Sequence, residues 1–472
     1  MLASAVPNGI HELTPLDGNP SNRANLQFVF FYKNPSSSES GLQLRERMSE
    51  RMRQAFHEAM SHYPILYGEH HRCDDDKETP PNEGGQSPAV HIIVSDSSKQ
   101  TQAPRYDEHD VSELVSDIQA AHYNWATWPA QLLSVSPIRV RLGSARELPL
   151  AHVVVTWHAD GMGLLVSVDH SVADGVGVSV LLNQWAGAVR NRELLLPVDA
   201  DHAAAWRQLV ETAGEPQPDW FVNYVDSLPA VAPEPSGTES AGIADTDPRA
   251  PVEVERALRR NTHALRVTRA ALQRLADDNS RGGPVPAIRL AYALMWQRYM
   301  AAMARGSDPD ATCLINVIHS ARAVVGRPHY IGNAVCPVYS RRALGSLLNA
   351  SVADVAEEIG RSMHAITAPQ WLAFTQLFHD APRRAKLLTL FANPEALQLS
   401  VSNISRVPFF DVDFGFGPPC HATVYPMVIP GFAVWTPLQA DGGLHILWNL
   451  PDHVFAALAQ DKELARYVDV LF

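Results

Sequence analysis

The stretch from 148 to 170 constrains this chain more than any other. LPLAHVVVTWH at 148–158 and LLVSVDH at 164–170 are two apolar runs parted only by ADGMG. Both are short and valine-rich, so they read as two strands joined by a glycine-bearing turn. HSVADG follows the second run, and then Val178, Leu181, Leu182, Trp185 and Val189 share one face of a helix. Strands that run straight into a helix belong to an α/β fold.

The same alternation lies on both sides of a break. Residues 230–251, AVAPEPSGTESAGIADTDPRAP, are rich in proline, glycine, serine and acidic side chains. Such a stretch offers too little apolar surface to order itself and reads as an interdomain linker. A chain of 472 residues also exceeds what one core usually holds. Two α/β domains with mixed sheets are therefore expected, at 1–229 and 252–472. Before the break, Leu44, Met48, Met52, Phe56 and Met60 lie four apart, backed by Ala55 and Ala59, and predict a helix over 42–60. Residues 74–88 carry breakers and no periodicity, so they read as a loop. After the break, LRVTRAALQRLADD (265–278) and AIRLAYALMWQRYMAAMAR (287–305) read as helices and CLINVIHS (313–320) as a strand. LHILWNLP (444–451) reads as the last strand and VFAALAQDKELARYVDVLF (454–472) as the last helix.

Bulk chemistry excludes several functions. The net charge of −13 opposes a nucleic-acid surface, although a local basic cleft for a small phosphate is compatible with it. No run approaches the roughly 18 apolar residues of a membrane span, and no secretory signal opens the chain. The four cysteines, Cys73, Cys313, Cys336 and Cys420, are too scattered for a disulfide framework or a structural zinc site. The expectation is a monomer in a reducing, cytoplasmic compartment with no metal. HEAMSH at 57–62 spaces His57 and His62 five apart, off a single helix face. HHRCD at 70–74 has ligand-type residues, but in a polar turn with no second cluster. There is no G-x-S-x-G elbow, P-loop or G-x-G-x-x-G.

One segment carries chemistry. In VSVDHSVADGVG, His170 ends a strand, and Asp174 and Gly175 precede a helix. Histidine suits general-base work because its ordinary pKa lies near neutrality. Taken alone, His170 reads equally as a strand-end residue bonded locally, and Asp174 as a helix N-cap. The bare H-x-x-x-D spacing decides nothing, since His70 with Asp74 and His71 with Asp75 share it without the strand and helix around it. A second segment, FFDVDFGFGPP at 409–419, reads alone as a glycine-rich turn.

Together, HSVADG and the later DFGFG closely resemble the BAHD acyltransferase family, whose hallmarks are H-x-x-x-D-G in mid-chain and D-F-G-W-G near the C-terminus. LTPLD (13–17) and VFFY (29–32) look like the family's N-terminal strands. YPILYG (63–68) and HYIGNAV (329–335) look like its tyrosine-proline and glycine-asparagine elements. The low-complexity linker looks more like fungal members than plant ones.

The resemblance implies two chloramphenicol-acetyltransferase-like domains with a channel between them. It implies acyl-CoA, with acetyl-CoA or another short acyl-CoA expected, as co-substrate and a specialised metabolite as acceptor. His170 would be the base, with no acyl-enzyme. Asp174 would be structural and paired with an arginine, for which Arg322 is the candidate; alone, Arg322 reads as a surface residue. The plant threonine-serine-tryptophan segment falls on Ser402, Asn403 and Ile404, leaving Ser402 as the oxyanion candidate; alone it is an ordinary strand serine. Asp413, Phe414, Gly415 and Gly417 would be structural and near the cofactor, and Arg281 and Arg289 are candidates for the CoA phosphates. Where the family has serine-threonine-asparagine nearby, this chain has Pro286, Ala287 and Ile288. An N-acyltransferase, a carrier-protein-dependent condensation enzyme and a cyclase are alternatives on the same fold.

Overall fold

A computed structural model describes residues 6–18, 25–35, 41–72, 90–135, 149–191, 200–228, 261–279, 285–392, 397–425, 431–438 and 442–472. The expected loop at 74–88, the expected linker at 230–251, and Arg281 lie outside them.

The valine-rich runs are paired strands. The first half of the chain contributes β1 (Gly9–Glu12), β2 (Asn25–Lys33), β3 (Glu69–Arg72), β4 (Val90–Val94), β5 (Arg105–Asp110), β6 (Ala151–His158) and β7 (Gly161–Asp169). The second contributes β8 (Thr262–Val267), β9 (Thr312–Ser320), β10 (Val335–Ala343), β11 (Gln398–Asn403), β12 (His421–Val424), β13 (Phe432–Leu438), β14 (Gly443–Asn449) and β15 (Asp469–Val470). Their sheet orders are β1-β4-β3, β12-β2-β7-β6-β5, and β10-β9-β11-β13-β14-β8-β15. The two larger sheets are mixed: β5 runs parallel to β6, and β11 is parallel to both β9 and β13, while the other pairs are antiparallel. The fold is α/β, as expected.

Every residue of β6 and β7 is buried. Helix α1 (Gly41–Ser61) buries Met48, Met52, Ala55, Phe56, Ala59 and Met60, and α2 (Gly175–Val189) buries Val178, Leu181, Leu182, Trp185 and Val189. Both helices belong to the core over the five-stranded sheet. A separate core surrounds α3 (Ala287–Met303) against the seven-stranded sheet.

Four expectations fail locally. ADGMG is not all turn: only Ala159 and Asp160 separate the strands, and Gly161 and Gly163 lie inside β7. A Cβ on Gly161 would stand 2.1 Å from the Tyr32 carbonyl oxygen, and one on Gly163 2.4 Å from Thr156 Oγ1. These glycines serve close packing in the strand. LTPLD follows β1 and forms a turn closed by the Gly18 amide donating to the Thr14 carbonyl. LRV at 265–267 is strand β8, and the helix begins only after Thr268, whose side chain caps it. In the C-terminal run the α-helix covers only Asp452–Ala459, a short 3-10 turn follows at Leu464–Arg466, and the run finishes as β15 on the sheet edge. Short apolar runs carry little periodicity, so long-range pairing decides them.

Residues 409–424, from the second half of the sequence, return to the first sheet. β12 pairs antiparallel with β2, His421 opposite Phe31 through Val424 opposite Phe28. Phe409, Val412, Phe414 and Phe416 join the first core.

Candidate active site

Strand β7 delivers the site residues. Asp169 is its last residue, and pairing with Asn25 of β2 holds it in register. His170 follows in a tight turn and is half-buried, with its Nδ1 buried and without a hydrogen-bond partner among the described residues. Its carbonyl accepts a 2.5 Å bond from the Asn333 side-chain amide.

Asp174 caps α2, its Oδ1 accepting from the amides of Val176 and Gly177, both at 3.0 Å. The same carboxylate receives a two-pronged bond from Arg322, whose two terminal nitrogens donate to Oδ2 at 2.8 Å and Oδ1 at 2.7 Å. The Ala334 amide adds 3.2 Å to Oδ2. Asp174 is 2% exposed and Arg322 5%. Arg322 spends its other donors on the Tyr330 carbonyl at 2.9 Å and the Gly332 carbonyl at 3.0 Å. A buried ion pair is tolerated only where the remaining donors and acceptors are filled, as here. With both oxygens so engaged, Asp174 ties the loop to the start of α2 and to Arg322, and no hydrogen bond joins it to the His170 ring among the described residues.

A second buried network stands behind Asn333. The Asn333 side chain and backbone amide donate to Asp17 Oδ1 at 2.7 and 2.8 Å. Asp17 Oδ2 takes the Thr14 hydroxyl at 2.5 Å, the Tyr330 hydroxyl at 2.9 Å and His202 Nδ1 at 2.9 Å. Burial by itself would raise the Asp17 carboxyl. Charge and hydrogen bonding from His202, with the Thr14 hydroxyl and Asn333 amide, outweigh it and hold the group below the ordinary carboxylate range. Burial, reinforced by Asp17, pushes the Tyr330 phenol well above its usual value, so it stays a neutral donor. Asp17, His202, Tyr330 and Asn333 were not singled out from sequence. The only signals were LTPLD and HYIGNAV, and neither shows that the two segments touch.

Ser402 lies half-buried on β11, in register with Ile318 and Val434. Two residues on, Ile404 Cγ2 is 3.6 Å from where a Cβ on Gly175 would sit, so the end of β11 abuts the start of α2. In the DFGFG segment, Asp413 Oδ1 accepts from the amides of Gly415 and Gly417 at 2.7 and 2.9 Å, and Arg190 donates to Oδ2 at 3.2 Å. Gly415 and Gly417 have φ of 100° and 84°, which a side chain disfavours. The Phe414 ring meets Trp185 edge-on at 4.5 Å. This loop packs on the first core. Arg289, on α3, lies beside Gly360 and comes within 3.4 Å of His364 Nε2. His70 and His71 sit on strand β3 and not in a polar turn. No group of three or more His, Cys, Asp or Glu side chains fit to hold a metal is found among the described residues. Nor is any helix among them long and apolar enough to cross a membrane.

Residues 128–465 match the family described as the transferase family. Acyltransferase easC of Emericella nidulans is 24% identical over 421 residues, covering 84% of this chain and 82% of that protein. Putrescine hydroxycinnamoyltransferase 3 of rice is 25% identical over 268 residues, so the match spans only about half of each, 54% of this chain and 55% of the rice enzyme. Among solved structures, F. graminearum TRI101 complexed with ethyl coenzyme A superposes with a TM-score of 0.74 at 16% identity, covering 99% of this chain and 100% of TRI101. That likeness fixes the fold, two chloramphenicol-acetyltransferase-like halves. With a family match over most of its length and the H-x-x-x-D-G loop held by a buried arginine, this chain belongs to the BAHD acyltransferases.

Proposed function

We propose that the protein transfers an acyl group from acyl-CoA to a hydroxyl of a small metabolite, with His170 as general base. The observation that carries this reading is the clamp around His170. From the second half, Asn333 binds the carbonyl of the histidine itself and Arg322 binds Asp174 four residues on, while the ring Nδ1 has no hydrogen-bond partner among the described residues. A base held this way meets its substrates preorganised.

His170 takes the proton of the acceptor hydroxyl as the oxygen attacks the thioester carbonyl. The new C–O bond forms and a tetrahedral oxyanion appears. On collapse the C–S bond breaks, and His170 returns its proton to the departing CoA thiolate. A positioned base of this kind contributes about 10²–10⁴ in rate. Bringing two substrates together and stabilising the oxyanion supply the remainder, with the Ser402 hydroxyl as a donor candidate and Ile404 unable to replace an indole N–H. The acyl-CoA approaches through the seam between two domains, the first completed by β12. Arg289 and the DFGFG loop belong to the cofactor side. Acetyl-CoA or another short acyl-CoA is the donor in this reading, and an amine acceptor uses the same steps.

The test is thiol release from a set of acyl-CoAs against a panel of alcohols and amines. His170→Ala is expected to lose at least about 100-fold in turnover while binding CoA as wild type. A His170→Ala enzyme with ordinary turnover defeats the mechanism. Thiol release that needs no acceptor but water defeats the transferase reading.

A further inference from the structure

His70 has no part in the steps above, yet it reaches the loop that carries the base. It stands on β3, in the small three-stranded sheet, and its Nε2 lies 2.7 Å from Ser171 Oγ and 3.7 Å from Asp169 Oδ1. Asp169 and Ser171 are the residues immediately before and after His170. Both are buried. Ser171 donates to Asp169 Oδ1 twice, from its hydroxyl at 2.5 Å and from its amide at 2.9 Å. The Asp169 amide donates to the Leu150 carbonyl at 2.8 Å, and its own carbonyl accepts the Val172 amide at 3.0 Å. The backbone turn whose apex is His170 is thus closed beneath the histidine by one carboxylate and one hydroxyl.

The proton count fixes the direction of this chain of bonds. A serine hydroxyl has one proton, and an ionised carboxylate only accepts. With that O–H pointed at Asp169, the Ser171 oxygen is left to accept, so His70 Nε2 bears hydrogen and donates to it. This order does not make Ser171 a nucleophile. An activated serine is exposed and gives its proton to an imidazole, whereas this one is buried and gives it to a carboxylate.

We propose that His70 is a positioning residue for His170. Its Nε2–H holds the Ser171 hydroxyl in the rotamer that closes the turn on Asp169, and the closed turn aims the His170 ring. The three-stranded sheet thereby has a role in turnover. The inference rests on His170 being the base.

His70→Leu removes the donor at similar size. His70→Gln keeps an N–H donor but has no ring to ionise. Turnover is measured with the acyl-CoA and acceptor pair that the thiol-release panel returns, CoA binding by calorimetry, and the His170 ring by ¹⁵N-histidine NMR. His70→Leu is expected to lower kcat about 10-fold, the worth of one charge-free positioning bond. KM for acyl-CoA, CoA affinity and melting temperature should stay near wild type, and the His170 ring resonances should move. His70→Gln should recover kcat to within about threefold and return those resonances. A His70→Leu enzyme with wild-type kcat and an unmoved His170 signal overturns the proposal, as does a glutamine variant no better than leucine. If His70→Leu folds poorly, Ser171→Ala and His70→Ala take its place: each alone should lower kcat similarly, and the double variant should lose no more than either, whereas fully additive losses overturn the proposal. His170→Ala, measured alongside, separates the two failures. Activity in that variant sinks the general-base reading, while a dead His170→Ala beside a fully active His70→Leu sinks only the role of His70.

Discussion

At the residue scale, the decisive interaction is the buried pair of Asp174 and Arg322. Its worth follows from contrast with an exposed pair. Arg361 and Glu357 approach to 4.0 Å with side chains 71% and 56% exposed, and water screens such a pair to about 0–1 kcal/mol. The guanidinium of Arg322 instead fills one carboxylate and two carbonyls out of solvent. Removing one partner leaves a buried charge, which costs about 3–5 kcal/mol. Arg322→Met is therefore expected to lower unfolding free energy by about 3 kcal/mol in urea, whereas Arg361→Met changes it by less than about 0.5 kcal/mol. Equal effects of the two would mean that the pair is not what holds the loop. Arg322 could be nominated from sequence only by analogy. Its partner lies 148 residues away, and nothing in the surrounding HSARAVVGRP distinguishes it from an exposed arginine. His70 is harder still, because its local sequence points to a polar turn.

At the scale of elements, the start of α2 shows how contact overrides propensity. Gly177 lies in the first turn of this helix. Replacing glycine with alanine in a helix normally stabilises by about 0.8–1.0 kcal/mol. Here the added Cβ would stand 1.9 Å from the Ile331 carbonyl oxygen and 2.8 Å from its carbon. Both are backbone atoms of the segment that carries Tyr330 and Asn333, so relief requires the helix and that segment to part. Gly177→Ala is expected to destabilise by about 2 kcal/mol or more in denaturant titration and to depress turnover, because the same shift pulls Asn333 from His170. A neutral or stabilised variant would show that the contact yields easily. Helices with long apolar stripes, α1 and α2, could be read from spacing. The boundaries at 161, 265 and 469 could not, because glycine inside a strand resembles a turn and short apolar runs fit either element.

At the scale of the whole molecule, β12 brings the two large sheets into contact. His421 on β12 stacks on Tyr123 at 3.8 Å, and its ring lies 5.1 Å from that of His445 on β14. Burial pushes His421 well below its usual range, with His445 adding to the effect, and burial pushes His445 down to about 4. Both are neutral in the folded protein near pH 5, where an unfolded chain would protonate them. The unfolded state therefore binds more protons between about pH 6.5 and 4, and stability falls as pH drops through that window. For His445 alone the loss is about 3 kcal/mol by pH 4. Urea unfolding at pH 7, 6, 5 and 4 should show this decline, and His421→Gln with His445→Gln should flatten it. A double variant with the wild-type slope would mean that other groups carry the acid sensitivity.

The linear chain determined whatever depends on neighbours within a turn or a strand: the valine-rich hairpin, the apolar faces of α1 and α2, and the histidine set between a strand and a helix. Local sterics and periodic burial are properties of short segments, so these could be read directly. Only the folded molecule decided which distant residues close around that histidine. Asp17, His70, and Arg322 with Asn333 come from three separate segments, and β12 crosses into a sheet made mostly by the other half of the sequence. Such partners are chosen by where buried charge and unpaired polar groups can be satisfied, which is settled only when remote segments are packed together.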